Sequence, residues 1–177
     1  MLYKYILGID PSGNFYEGKG TTGLCLFDAE KNCILDAKSI SAKNYKSWYN
    51  YWTAIIRYID LIYKKHKALT VVIEDYTLYA TKAASQINSK METPKLIGVL
   101  QYFCKTNGIP AVLQPAHLVK NRWANPILIH KKYIKSVKDQ LYTMQDVRID
   151  RHAVDSIRHA VHYAQFKNKE GVDINEI

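Results

Sequence analysis

The chain has 177 residues, 47% of them hydrophobic and 23% charged, a length and balance that define one globular domain able to bury its own core. An intrinsically disordered chain is excluded. Twenty-five Lys and Arg against 16 Asp and Glu leave a formal net charge of +9, which favours a polyanionic partner, nucleic acid first and an anionic membrane surface second.

The opening "MLYKYILGID" is too short and too soon interrupted for a secretion signal. No apolar run approaches a membrane span of about 20 residues. The chain is therefore expected in the cytoplasm, without a membrane partner. Cys25, Cys33 and Cys104 show no paired-Cys spacing, so neither a zinc site nor a disulfide framework is indicated. They read as reduced core residues, with Cys25 and Cys33 candidates to face each other across a hairpin.

From Leu2 to Ile9 the chain alternates and then runs apolar into Asp10, which predicts a central strand. In "TGLCLFDAEKNCILDAKSI" two apolar runs flank the polar turn Asp28 to Asn32, predicting a hairpin. An aromatic-rich helix is predicted from about Lys43 to Lys65, with Trp48, Trp52, Ile55, Ile59 and Ile62 at helical spacing. "LTVVIEDY" reads as a short buried strand that stops at Glu74. After the polar stretch Tyr76 to Glu92, Thr93 can cap a helix with Pro94 at its first position, and Asn107–Gly108 ends it. "IPAVLQP" is the next strand. A basic region from His117 to Lys138 leads to a last helix beginning near Asp150, and residues 169–177 read as a frayed tail. The order predicts an α/β domain over 1–168. Its mixed five-stranded sheet has three antiparallel strands and then two parallel ones reached by crossovers, with helices on both faces.

Asp10 and Glu74 each stand where an apolar strand runs out, and the carboxyl ends of parallel strands are where open α/β sheets bind ligands. On the last helix His152 and Asp155 are one turn apart. With His159 and His162 they form a polar stripe beside the apolar Val154, Ile157, Val161 and Ala164. For that helix alone, a solvated face is the simpler reading. Two strand-end carboxylates added to the His-x-x-Asp pair make an oxygen-rich donor set with one imidazole, suited to Mg²⁺ or Mn²⁺. Clustered carboxylates on a basic protein are costly unless a cation neutralises them.

The three segments "GIDPSG", "VVIEDY" and "DRHAVDSIRHAV" resemble, in order and on the right elements, the motifs of RuvC-type Holliday junction resolvases, nucleases of RNase H-like fold. The resemblance runs from Tyr5 to Ala164. The loop "PSGNFYEGKGTTG" and the stretch "METPKLIGVLQ" look more like phage-type members than bacterial housekeeping ones, a resemblance that implies a phage-encoded protein acting in the bacterial cytoplasm. Carried over by position, Asp10, Glu74 and Asp155 match the family's metal-binding carboxylates. His152 falls where many members have a further Asp and some have His. The resemblance implies an endonuclease that cuts Holliday junctions and other branched DNA. It would use two Mg²⁺ ions, with Mn²⁺ able to substitute, and no nucleotide cofactor. Paired nicks leaving 5′-phosphates imply a homodimer.

Other residues complete the expectation. Tyr76 and Tyr79 are candidates to stack on unpaired bases. Lys120, Arg122, Lys131, Lys132, Lys135 and Lys138, with Arg151 and Arg158 flanking the helical pair, are candidates to grip phosphates. Trp48, Tyr49, Tyr51 and Trp52 read as core or dimer face, "GKGTTG" as a turn, and Asp150 as a helix cap beside a second spare acid, Asp146. Three rival readings remain at this level. One is another RNase H-like nuclease, acting on RNA/DNA hybrids or in DNA packaging. The others are a metal-free nucleic-acid-binding module and an actin-like phosphotransferase, which needs two domains.

Overall fold

The computed structural model describes residues 1–16, 18–76 and 91–168. Five strands, β1 (Tyr5–Asp10), β2 (Thr21–Asp28), β3 (Cys33–Ser41), β4 (Leu69–Asp75) and β5 (Ala111–Pro115), form one sheet in the order β3-β2-β1-β4-β5. β1, β2 and β3 are antiparallel neighbours, whereas β4 runs parallel to β1 and β5 parallel to β4. This is the predicted mixed sheet. Helices α1 (Trp48–Lys65) and α2 (Glu92–Thr106) cover one face, and α5 (Arg151–Phe166) covers the other. No described helix is long and apolar enough to cross a membrane.

The two-residue period of a strand decides which side chains meet α5. On β1, Leu7 and Ile9 pack toward α1 and α2, so Ile6, Gly8 and Asp10 take the α5 face. The same alternation sends Val72 and Glu74 of β4, and Val112 and Gln114 of β5, to that face. α5 can come down close because two positions beneath it lack a side chain. A Cβ on Gly23 would stand 1.9 Å from the His152 carbonyl oxygen, and one on Gly8 2.2 Å from that of Ser156. His152 and Ser156 are one turn apart, so one helix face rests on two glycines.

Several boundaries differ from expectation for local reasons. β1 begins at Tyr5 rather than Leu2. The first helix starts at Trp48, because the Ser47 side chain accepts from Asn50 N and caps it; Ala42–Asn44 is a separate 3-10 turn. Thr93 does not cap α2. Its hydroxyl accepts instead from Gly13 N at 3.1 Å, and α2 begins at Glu92 after Met91 in a left-handed conformation. Cys25 and Cys33 do not face each other: Cys25 lies opposite Ala37, and Cys33 opposite Asp28. All three cysteines are free, with Cys25 and Cys104 buried and Cys33 half-buried.

The basic region holds more structure than a helix. Short helices α3 (Ala116–Lys120) and α4 (Asn125–His130) lead into a second sheet of three antiparallel strands, β6 (Ile134–Val137), β7 (Gln140–Thr143) and β8 (Arg148–Ile149). Val137 and Gln140 pair across a two-residue turn whose central Lys138 and Asp139 both have positive φ, the geometry that suits hairpin twist. Tyr133, Ile134 and Ile149 join the core beneath α5, so this small sheet closes one end of it.

Candidate metal centre

Asp10, Glu74 and Asp155 arrive from β1, β4 and α5, and each carboxylate has an internal partner. Asp10 Oδ2 lies 2.8 Å from His152 Nδ1. Glu74 Oε1 accepts from Lys120 Nζ at 3.1 Å, and its Oε2 faces His159 Nε2 at 2.9 Å. Asp155 Oδ2 is 3.4 Å from the same Lys120 ammonium, while its Oδ1 accepts from Arg158. Asp10 and Asp155 are buried, at 8% and 6% exposure, so these are not solvated acids. The polar stripe on α5 is an inward face. His159 is fully buried, and His162 is core, its pKa pushed down to about 4 by burial and by the charge of Arg122.

The electrostatics treat the acids differently. Burial raises the Asp10 pKa; the His152 hydrogen bond opposes this, and the charges of Glu74 and Asp155 add to it. The Asp10 contact in turn raises His152, against its own burial. Burial would raise Glu74 too, but the hydrogen bonds and charges of His159 and Lys120 outweigh it and hold Glu74 low. Burial would lower Lys120, but Glu74 and Asp155 hold it high.

Among the described residues no three His, Cys, Asp or Glu side chains already stand together as a ligand set. Lys120 and His152 hold the acids in separate pairs instead. The donor chemistry nevertheless fits a hard divalent cation. The charges of Glu74 and Asp155 act on Asp10, which contacts His152, and the Lys120 ammonium stands between Glu74 and Asp155, where a cation's charge is needed. Binding an ion would exchange those contacts for metal ones.

Several sequence candidates for DNA contact sit differently from expectation. Lys120 is inside the acidic cluster, not on an outer face. Arg158 is a brace: Nε donates to the Trp123 carbonyl at 2.9 Å, one terminal nitrogen to Asn125 Oδ1 at 2.6 Å, and the other to Asp155. Arg122 is exposed, its guanidinium 4.3 Å from the Phe166 ring centre. Lys131, Lys132 and Arg151 are exposed, as is Lys138, while Lys135 pairs with Asp146 at 2.7 Å. Tyr76 is half-buried against the core, and Tyr79 lies outside the described residues, as does the tail 169–177. Asp150 caps α5 as expected, accepting from Ala153 N. Tyr51 and Trp52 are core, whereas Trp48 and Tyr49 are exposed.

Two residues of the cluster escaped the sequence reading as site members. His159 was legible only as part of the stripe, one turn beyond Asp155. Gln114 carried a weaker signal, its place two residues after Val112 on a strand whose alternate positions face α5.

A mixed sheet of this order, with three antiparallel strands, two parallel ones and helices on both faces, is the RNase H-like class of fold. Within that class the fold is that of RuvC resolvases. A RuvC from Thermus thermophilus, solved in complex with a Holliday junction substrate, superposes with a TM-score of 0.67 at 14% identity, over 94% of this chain and 98% of that one. A second Thermus thermophilus RuvC structure gives a TM-score of 0.62 at 13% identity, over 91% and 95%. No protein-family model and no curated protein sequence matches the chain.

Proposed function

We propose that this protein is a divalent-metal-dependent endonuclease that nicks Holliday junctions and other branched DNA. What supports the reading is that the charges of Glu74 and Asp155 act on Asp10, which also contacts His152, at the strand ends of a RuvC-type sheet in a chain of net charge +9. Asp10, Glu74, Asp155 and His152 would hold the ions. Bound Mg²⁺ or Mn²⁺ would supply Lewis-acid activation of water and neutralise charge on the leaving oxygen. Lys120, released from Glu74 and Asp155, would then be free to reach a phosphate beside the centre. Arg158 would keep Asp155 in place, and the exposed Lys131, Lys132, Lys138 and Arg151 would hold the backbone further out. Cuts on two symmetry-related strands would require a homodimer, and the products would carry 5′-phosphates.

The deciding experiment is a nicking assay on four-way, forked and linear DNA, with Mg²⁺ and with chelator. Metal-dependent nicking of the four-way substrate above linear DNA is expected. Equal cutting of linear DNA would replace the junction reading with a general nuclease, and no cutting at all would leave a binding module. Binding measured in chelator should weaken steeply with salt, log affinity falling linearly with log salt by about 0.9 per phosphate neutralised. A flat line would remove the nucleic-acid partner.

His152 sets a pH dependence. Its pKa in the metal-free fold is raised by Asp10, so the protonated form persists above the ordinary value of about 6.5. A protonated imidazole cannot ligate. Mn²⁺ affinity should therefore fall as pH drops, beginning above pH 6.5. His152→Asp should move the fall to lower pH and His152→Ala should weaken binding. Identical pH profiles for all three proteins would show that His152 takes no part.

A further inference from the structure

Gln114 lies directly opposite Glu74 in the β4–β5 register, and both side chains take the α5 face. The Gln114 side-chain nitrogen approaches His159 twice, 2.9 Å from Nδ1 and 3.2 Å from the backbone carbonyl oxygen. A carbonyl only accepts, so the Gln114 atom facing it is the amide nitrogen, and its second N–H is left to donate to Nδ1. With Nδ1 accepting, the ring proton of a neutral imidazole resides on Nε2. Nε2 is 2.9 Å from Glu74 Oε2. The donors therefore run one way, from Gln114 through His159 to Glu74.

This relay is sealed from water: His159 is 0% exposed and Gln114 6%. Packing alone does not call for it, since Ile157, Ala160 and Val161 beside His159 are all apolar and buried. A buried imidazole and a buried amide cost free energy unless every polar atom is matched. Here the Gln114 amide nitrogen and both His159 ring nitrogens are matched, to each other and to one carboxylate oxygen. The other Glu74 oxygen, Oε1, accepts from Lys120 Nζ at 3.1 Å, an ammonium that it shares with Asp155.

We propose that Gln114 and His159 are positioning residues that fix the Glu74 carboxylate, occupying Oε2 and presenting Oε1 to the metal centre. The inference rests on Glu74 being a metal ligand. Outer partners of this kind orient ligating groups, and their loss costs about 10- to 100-fold in metal affinity or activity.

The test uses the full chain and Mn²⁺ alone, titrated calorimetrically without DNA. His159→Phe keeps an aromatic ring but removes both nitrogens, and Gln114→Leu releases the tautomer. Each is expected to weaken Mn²⁺ binding about 10- to 100-fold, with DNA affinity in chelator unchanged. His159→Gln, which returns an N–H toward Glu74, should recover most of the loss. Nitrogen-15 spectra of the imidazoles should show Nε2 protonated at His159 in the wild type, and a mixture of tautomers in Gln114→Leu. That reading needs no metal, and it decides the matter if His159→Phe does not fold. A proton on Nδ1, or wild-type Mn²⁺ affinity in His159→Phe and Gln114→Leu, would overturn the proposal. Glu74→Gln is titrated alongside. If it loses Mn²⁺ binding while His159→Phe does not, the relay alone is wrong. If Glu74→Gln binds as the wild type does, the ligand assignment is wrong and the relay falls with it.

Discussion

Asp10→Asn is expected to lose nicking by about 10³-fold or more while gaining thermal stability in the absence of metal. The loss follows from removing one of the carboxylates that would hold the ions, since metal-bound charge stabilisation is worth several kcal/mol and each 1.36 kcal/mol is tenfold in rate. The gain follows from Asp10 itself. Its pKa is raised by burial and by Glu74 and Asp155, so the fold favours the protonated form. That favourable contribution is complete below the unfolded value of about 3.9 and is lost as pH rises through the folded value. At pH 7 an ionised Asp10 is therefore a cost, and a neutral Asn that still accepts from His152 avoids it. A rise in Tm of about 2–4 °C corresponds to 1 kcal/mol in a domain of this size. The rise should shrink as pH approaches 4. Melting curves at pH 4 and 7, beside a nicking assay, check both halves. Normal nicking would remove Asp10 from the site, and a lower Tm at pH 7 would contradict the charge crowding.

The main sheet was legible because its strands are apolar runs with clear ends. "LTVVIEDY" is β-branched and stops at acids, and the two apolar runs around Asp28 to Asn32 could pair only as a hairpin. Asp10 and Glu74 stood out for a related reason, each ending an apolar strand, and Asp155 stood out by its one-turn spacing from His152. The small sheet was not. β6, β7 and β8 are short, β8 only two residues long. Their turns place Lys138, Asp139 and Asp146 at positive φ, where Gly or Asn would have announced a turn. Lys120 and Arg158 were read as DNA contacts because basic residues are normally solvated. Nothing in a linear sequence shows that α3 ends against Glu74 and Asp155, or that Asn125 and the Trp123 carbonyl consume the Arg158 donors. His159 and Gln114 were hidden differently, because their roles arise only when strand parity and helix phase are superimposed.

That superposition depends on two glycines, and Gly23→Ala is the sharpest way to disturb it. The added Cβ would lie 1.9 Å from the oxygen and 2.2 Å from the carbon of the His152 carbonyl, and 2.9 Å from Ala153 N. These are backbone atoms of α5, so no side chain can swing aside and the helix must lift. Overpacking a tight contact costs about 1–3 kcal/mol even where side chains can adjust, which corresponds to a fall in Tm of several degrees. The larger effect falls on the centre. Lifting the first turn of α5 carries His152 and Asp155 away from Asp10, and a misplacement of about 1 Å at a reacting site can cost 10²-fold. Mn²⁺ affinity and nicking should therefore fall more than stability does. Gly8→Ala should act the same way through Ser156, 2.2 Å from its Cβ position. Gly98→Ala is the control of opposite sign. Gly98 lies within α2 with nothing inside 4 Å of its Cβ position, so alanine should stabilise that helix by roughly 0.5–1 kcal/mol and leave Mn²⁺ binding alone. Wild-type Tm and Mn²⁺ affinity in Gly23→Ala would mean that α5 does not rest on the sheet at this point, and that the acids are brought together by something other than the missing side chains beneath it.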